Sequence, residues 1–391
     1  MSTDSSATQP APLEGIRVVE FGQFIAGPAA AQALADMGAE VIKVEPEGGD
    51  AARTVAWPHD GLGPLFAPFN RGKRSIVLDL AGPGRETAFA LASRADVVIS
   101  NARPGAMERA GLSAEALRAA NPRLIVASLA GYSADTPFAA RPGFDIGAQA
   151  ESGMMSLNGE SDRPPARVGF MLVDMMSAHA ATTAILAALV RRGITGTGAT
   201  ISISLLDVAV ESMGYNWAEY ALKGQLPVRR GSGQPHVAPG ADIIATANGA
   251  VVVSAYVESH FQRLVSALGR PELAQDERFS SNSARVANRA AMLVELAAEF
   301  GRFTTTELCE RLGEAGIVVA AVRTFDEVRA EPHGVSPDLF VGLDSPTKGR
   351  FEVPVRPYRM DGMPPPRTRL PALGEDTDAI LKELSAGTGT R

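Results

Sequence analysis

The sequence predicts an α/β protein with a mainly parallel, Rossmann-like sheet in a large domain and a smaller α/β domain after it. Short apolar strands alternate with helical stretches over residues 12–223. A glycine- and proline-rich segment then covers residues 224–240, and the pattern that follows it is different. The chain has 391 residues, which is long enough for two or three domains and a sizeable core.

The large domain is predicted from β/α alternation in chain order. Apolar runs predict strands at 16–21, 40–45, 75–79, 97–100, 124–129 and 199–203. Helical periodicity between them predicts helices at 29–37, 86–94 and 114–120, and a last one that ends near residue 222. Ligands of such sheets bind beyond the carboxyl ends of the strands.

The second half of the chain predicts a linker, a small domain and a C-terminal return. Residues 224–240 form the linker, and residues 241–330 form the small domain. In that domain Asn248-Gly249 indicates a type I′ hairpin, helices are expected at 259–268, 288–301 and 304–314, and a strand is expected at 317–322. Thr304 and Glu307 fit a capping box. Residues 331–391, with a helix at 376–384, are expected to return to the large domain.

Composition excludes several classes of protein. The net charge of −7, from 37 basic and 44 acidic residues, argues against nucleic acid or an anionic membrane as the main partner. One cysteine, Cys309, allows no intrachain disulfide and is compatible with the cytoplasm. The histidines lack metal-ligand spacing, so no metal is expected. Residues 1–11 resemble a disordered tail and not a signal peptide, and the apolar run at 168–190 is interpreted as a core helix and not a membrane span.

One carboxylate stands out because it lies inside that apolar run. Asp174 falls at or next to the N-terminus of the predicted helix, where the macrodipole and free N–H groups favour an anion. A helix cap and a catalytic nucleophile both fit this position. The basic residues Arg71, Lys73, Arg74, Arg103 and Arg109 cluster near strand ends, where together they could hold phosphates. The first β–α turn lacks Gly-x-Gly-x-x-Gly, which disfavours a nicotinamide cofactor.

An ordered series of motifs resembles the class III CoA-transferases, the CaiB/BaiF family. It includes Leu13-Glu-Gly-Ile-Arg-Val-Val-Glu-Phe, Ala26-Gly-Pro28, Asn70-Arg-Gly-Lys-Arg74, Arg103-Pro-Gly105 and Arg141-Pro-Gly-Phe-Asp145. The resemblance extends from Leu13 to the segment after Leu373. It implies an enzyme that uses acyl-CoA and a carboxylic acid as substrates, and an interlocked homodimer. It also implies that Asp174 is the nucleophile, which forms an aspartyl–acyl anhydride and then an aspartyl–CoA thioester.

The resemblance also implies a set of binding residues. The CoA contacts map onto Ile25, Ala26, Leu78, Asn101, Ala102, Arg103, Arg109 and Asp145. A glycine-rich active-site loop maps onto Gly231, Ser232, Gly233 and Gln234, where a plain interdomain linker is the alternative. Pro46 and Ala81 depart from basic residues that some members have there.

Two other functions remain open from the sequence. An acyl-CoA racemase of the same fold needs a His–Asp pair of bases, and here Phe144 replaces the histidine and cannot accept a proton. The other alternative is a CoA-binding protein without catalysis.

Overall fold

The computed structural model describes residues 10–233, 239–330 and 334–387. They divide into two compact units. Of these, the first contains residues 10–154, 168–218 and 336–387, and the second contains residues 155–167, 219–233, 239–330 and 334–335. The predicted tail at 1–11 lies mostly outside the described residues, because the description starts at Pro10.

A six-stranded parallel sheet is the centre of the first unit, which confirms the predicted α/β class with a mainly parallel sheet. The strands are β1 (Arg17–Phe21), β2 (Glu40–Glu45), β3 (Arg74–Val77), β4 (Val97–Ser100), β5 (Ile125–Ala130) and β6 (Ala199–Ser204). Their spatial order is β3-β2-β1-β4-β5-β6. The chain therefore turns back at β1, which lies between β2 and β4. In such sheets the crevice beyond this reversal point is where ligands bind.

Helices cover both faces of this sheet. The helices of the first unit are α1 (Ala26–Asp36), α2 (Gly84–Ser93), α3 (Ala106–Arg109), α4 (Ala114–Ala120), α5 (Asp145–Glu151), α7 (Leu172–Thr195) and α8 (Leu205–Glu211). Two more, α6 (Met154–Leu157) and α9 (Gly214–Lys223), begin in the first unit and end in the second. On one face α1 and α7 bury Leu34, Ala181 and Ile185 against the strands. On the other face α2 and α4 bury Leu91 and Leu117.

The second unit is a three-stranded antiparallel sheet covered by helices. Its elements are β7 (Asp242–Ala245), β8 (Ala250–Ser254), α10 (Glu258–Ala267), α11 (Asn282–Ala287), α12 (Arg289–Phe300), α13 (Thr305–Glu314), β9 (Val318–Ala321) and α14 (Phe325–Ala330). Phe261, Phe279 and Phe300 are buried in one core of this unit. The capping box of Thr304 and Glu307 is confirmed.

The C-terminal segment packs in the first unit. It contains a hairpin of β10 (Phe340–Ser345) and β11 (Gly349–Pro354), followed by α15 (Thr377–Ser385). Ile380 of α15 joins the core beside α2 and α4. Arg74 on β3 pairs with Glu383 on α15 at 2.7 Å, so this end of the chain closes the β3 edge of the sheet.

Some local predictions were wrong. The single helix expected up to residue 222 is two helices, α8 and α9, because the chain turns between Glu211 and Gly214. Helix α11 precedes the predicted helix at 288–301. The hairpin between β7 and β8 exists, but Asn248 and Gly249 both have negative φ, so its turn is not type I′.

The domain bounds also differ from the sequence prediction. Residues 155–167, expected in the large domain, group with the second unit. The reason is local hydrogen bonding, because Gly231 N donates to Gly159 O at 3.1 Å and Arg229 donates to Glu160 O at 3.2 Å. The predicted linker therefore pairs with this segment and does not run free.

Helix α7 is long and apolar enough to cross a membrane, judged by length and composition alone. One face of the helix lies in the protein core, where Ala178, Ala181 and Ile185 are buried. The burial of this face agrees with the interpretation of residues 168–190 as a core helix.

Candidate active site

A cavity of about 1150 Å³ opens in the first unit at the carboxyl ends of the strands. It is larger than the roughly 300–1,000 Å³ typical of drug-sized ligands. Its walls are the segments that follow β1, β2, β3, β4 and β5, together with Asp174 at the start of α7. The cavity lies where the strand order reverses, which is the position expected for a ligand site in this architecture.

The turn after β1 is held in an unusual conformation at the cavity wall. Phe24 has φ +60°, a value uncommon for residues other than glycine. Its N–H donates to the Asp50 carboxylate at 3.1 Å. The Asn101 amide also binds both backbone groups of Gln23, each at 2.8 Å. These contacts fix the backbone that leads into Ile25, the residue before α1.

Seven of the eight residues implied as CoA contacts line this one cavity. They are Ile25, Ala26, Leu78, Asn101, Ala102, Arg103 and Arg109. They follow three different strands, β1, β3 and β4, so the structure brings together residues that are up to 84 positions apart in the sequence. Asp145 is not among the lining residues.

The predicted basic cluster divides into two groups with different roles. Arg103 and Arg109 are exposed on the cavity wall and form no ion pair with any residue that the structure describes. Arg71, Lys73 and Arg74 do not line the cavity, because each pairs with a carboxylate of the first unit. The partners are Asp36 for Arg71, Glu20 for Lys73, and Glu40 and Glu383 for Arg74. The expectation that these three hold phosphates was therefore wrong.

Two further cavity cations were not singled out from the sequence. Arg85 lies near the start of α2, where its side chain donates to Leu80 O at 2.9 Å. Arg141 pairs with Glu151 at 2.8 Å and stacks on the rings of Tyr132 and Phe138, each centroid being 4.9 Å away. Arg85 belongs to none of the quoted motifs, and the motif Arg141-Pro-Gly-Phe-Asp145 does not by itself indicate that Arg141 faces a cavity, so the folded geometry reveals both positions.

Asp174 reaches the cavity from the third position of α7, and it is not the N-cap. The residue before the helix is Met171, which caps it with no side-chain hydrogen bond. Among the described residues, none donates a hydrogen bond to the Asp174 carboxylate. The cap interpretation was therefore wrong, and the carboxylate is left available for chemistry.

The helix end does not keep Asp174 ionised, contrary to expectation. Burial, and then the negative charge of Asp145, raise the pKa of Asp174 to about 7. The N–H groups that could have favoured its anion are taken by Asp145, which accepts from Val173 N at 2.7 Å and from Asp174 N at 3.3 Å. Asp174 therefore gains and loses its proton near neutral pH.

Apolar side chains form part of the wall of the cavity that Asp174 also lines. They include Leu129, Leu205 and Phe144, and 59% of the Phe144 surface is exposed. The Phe144 ring meets Phe24 edge-on at 6.1 Å. The backbones of Gly143 and Gly131 are in contact, which is possible because neither residue has a side chain. A Cβ on Gly143 would lie 2.5 Å from the Gly131 Cα. An acyl chain could contact this wall, because position 144 contributes a phenyl ring and not a basic side chain.

The glycine-rich loop lies in the second unit. Gly231 has φ +62°, and a Cβ there would lie 2.6 Å from the Glu160 carboxylate. Ser232 is exposed, and Gly233 packs against the Arg289 guanidinium. Gln234 lies outside the described residues. Over the described ranges, no three His, Cys, Asp or Glu side chains are grouped as metal ligands would be.

Comparison with known proteins agrees with the class of fold and site. Residues 13–377 match CoA-transferase family III. A probable fatty acyl-CoA transferase of Mycobacterium tuberculosis, Rv3272, is 36% identical over 95% of this chain and 97% of its own. Succinyl-CoA:mesaconate CoA-transferase of Haloarcula hispanica is 34% identical over 97% and 98%. The crystal structure of a CaiB/BaiF family protein from Brucella suis superposes with a TM-score of 0.85 at 35% identity, over 96% of this chain and all of that one.

The chain belongs to CoA-transferase family III, the CaiB/BaiF family. It is thus an enzyme of the transferase class that acts in the transfer of CoA.

Proposed function

We propose that this enzyme moves CoA from an acyl-CoA to a free carboxylic acid through covalent intermediates on Asp174. The observation that carries the proposal is that Asp174, on α7, lines the same cavity as Ile25, which follows β1, and as Arg103 and Arg109, which follow β4. A half-buried carboxylate beside a site long enough for an extended ligand fits nucleophilic catalysis.

The reaction begins when ionised Asp174 attacks the thioester carbonyl. The C–S bond breaks, CoA leaves as a thiolate, and an aspartyl–acyl anhydride remains. The thiolate then attacks the aspartyl carbonyl and releases the acyl group as a carboxylate, which gives an aspartyl–CoA thioester. The acceptor carboxylate attacks the carbonyl of that thioester, the C–S bond breaks, and an anhydride between Asp174 and the acceptor acid remains. The CoA thiolate then attacks the acceptor's carbonyl carbon, which forms the new acyl-CoA and frees the Asp174 carboxylate. No step consumes water, so thioester energy is retained.

The cavity groups divide between binding and catalysis in this scheme. Arg103 and Arg109 would pair with phosphates of CoA, since their guanidinium groups are exposed and unpaired within the described chain. The fixed turn at Ile25 and Ala26 would offer backbone groups to the same ligand. The loop at Gly231–Gly233 would help to exclude water, as the family resemblance implies.

Phe144 distinguishes this proposal from an acyl-CoA racemase. Racemisation by two bases needs a proton acceptor on each side of the α-carbon. Phe144 occupies the place of one base and lines the cavity with its ring, so Asp174 would be left without a second base.

A CoA-exchange assay tests the reaction. Succinyl-CoA is supplied as donor with a panel of mono- and dicarboxylic acids, and new acyl-CoA is detected by mass spectrometry. We expect a new thioester with at least one acid and none with Asp174→Ala, a loss of about 10³-fold or more. Hydrolysis of the donor without transfer, or full activity in Asp174→Ala, would contradict the proposal.

A further inference from the structure

Helix α7 starts without a cap of its own and takes one from another helix. Its first residue follows Met171, which supplies no side-chain acceptor. The free N–H groups of its first turn need partners when they are buried. Val173 is fully buried, so a partner for its N–H must come from elsewhere in the protein.

Asp145, the first residue of α5, is that partner. One of its oxygens accepts from Val173 N at 2.7 Å and from Asp174 N at 3.3 Å. The other accepts from the Gln149 amide at 2.6 Å. Asp145 is 5% exposed, so it is shielded from the solvent that would weaken its charge.

Gln149 extends the same attachment to the segment before α7. Its amide oxygen accepts from Val168 N at 2.9 Å, and its side chain is fully buried. Asp145 and Gln149 lie one turn apart on α5 and hold the chain at both ends of residues 168–174. The position of the Asp174 backbone is therefore set by α5.

Asp145 is also the charged neighbour that acts on Asp174. Burial and the Asp145 charge together raise the pKa of Asp174 to about 7. The other charged groups on the elements packed against the start of α7 have partners or face solvent: Asp36 pairs with Arg71, Glu151 with Arg141, Asp207 with Ser133, and Glu211 is exposed.

We propose that Asp145 is a positioning residue for Asp174: it caps α7 from α5 and places a second negative charge next to the nucleophile. It does not line the cavity, and so it acts through the helix and its field and not by touching CoA. This inference goes beyond the covalent transfer proposed above, and the titration that tests it does not require turnover.

The variant Asp145→Asn keeps a capping oxygen and removes the charge. Asp145→Ser is a second neutral variant, since serine is also a good acceptor for helix N–H groups. Asp207→Asn is the matched control, because Asp207 lies on α8, which packs on α7, but bonds to Ser133. Asp174 is observed by infrared difference titration, with each protein compared with the same protein carrying Asp174→Asn.

We expect the carboxyl band of Asp174 to titrate near pH 7 in the natural protein and roughly one pH unit lower in Asp145→Asn and Asp145→Ser. In the pH profile of CoA exchange, the midpoint on the acid side should move by the same amount. The maximal exchange rate should be lower, because the neutral side chain caps α7 more weakly. Asp207→Asn should change neither. An unchanged midpoint in the folded Asp145 variants would overturn the inference. If the natural protein shows no exchange, the proposed function fails, whereas the infrared midpoints still decide the role of Asp145.

Discussion

At the residue scale, the chemistry depends on two carboxylates with opposite surroundings. Asp145 is satisfied by backbone and amide donors, whereas Asp174 receives no such bond within the described chain. The apolar run around Asp174 made the residue conspicuous in the sequence. The sequence could not reveal that Asp145, 29 positions earlier, takes the helix N–H groups that were expected to favour Asp174.

The raised pKa of Asp174 predicts a pH-dependent cost in stability. The folded carboxyl has a pKa of about 7, above its ordinary value near 4 in the unfolded chain. Between these values the folded state holds a proton that the unfolded state has lost, so stability falls as pH rises through this window. Asp174→Asn cannot ionise and avoids the loss. Its stability relative to the natural protein should rise by on the order of 1–2 kcal/mol between about pH 5 and about pH 8.

Chemical denaturation at the two pH values measures this difference. Asp162→Asn is the control, because Asp162 is exposed, and its stability relative to the natural protein should not vary with pH. A relative stability of Asp174→Asn that is the same at both pH values would show that Asp174 has an ordinary pKa.

At the element scale, a buried ion cluster joins the first three strands below the cavity. Glu20 on β1 binds Lys43 on β2 at 2.9 Å and Lys73, just before β3, at 2.6 Å, and all three side chains are fully buried. The same lysines donate to Gly22 O and Pro28 O. The cluster therefore holds both ends of the turn that carries Ile25 and Ala26.

Burial and charge compete within this cluster. Burial would lower the pKa of Lys43, but Glu20 and Asp50 outweigh it and the pKa is raised. For Lys73 burial prevails and lowers the pKa to about 8. Glu20 thus favours the charged form of both lysines.

Glu20→Gln should destabilise the protein by about 3–5 kcal/mol, because it leaves two buried ammonium groups with one anion fewer. Glu40→Gln is the matched control. Glu40 pairs with Arg17 and Arg74 but is about one-third exposed, so its loss should cost about 1 kcal/mol or less. Urea unfolding at neutral pH measures both, and equal costs for the two variants would show that the cluster contributes no more than a surface pair.

The sheet could be predicted at this scale and the ion cluster could not. Buried parallel strands appear in the sequence as short continuous apolar runs. The predicted and observed bounds are therefore the same for β2, residues 40–45, and for β4, residues 97–100. Lys73 and Arg74 look alike in sequence, and only the pleat sends Lys73 inward to Glu20 and Arg74 outward to Glu40. The break between α8 and α9 is accompanied in the sequence only by Gly214, and a single glycine inside a helical pattern does not by itself predict a break.

At the scale of the whole molecule, the proposal extends to a homodimer. Such a dimer, interlocked as the family resemblance implies, would cover apolar side chains that a single chain exposes. Tyr215 is 65% exposed, Leu222 88% and Leu226 74%. Large exposed apolar groups in one stretch of chain are typical of protein interfaces.

Sedimentation velocity tests the dimer. We expect one species of about twice 40.8 kDa, unchanged on dilution, because interlocked chains separate only by unfolding. Leu222→Ser should leave that species intact, since one side chain cannot unlink two chains. A single species of 40.8 kDa at all concentrations would contradict the dimer.

The central claim is that Asp174 becomes covalently acylated, and hydroxylamine capture tests it most directly. The enzyme is mixed with succinyl-CoA and hydroxylamine without an acceptor acid, digested, and the peptide around Asp174 is examined by mass spectrometry. We expect a hydroxamate on Asp174 and release of CoA, and neither in Asp174→Asn. An unmodified Asp174 in enzyme that still exchanges CoA would contradict the claim.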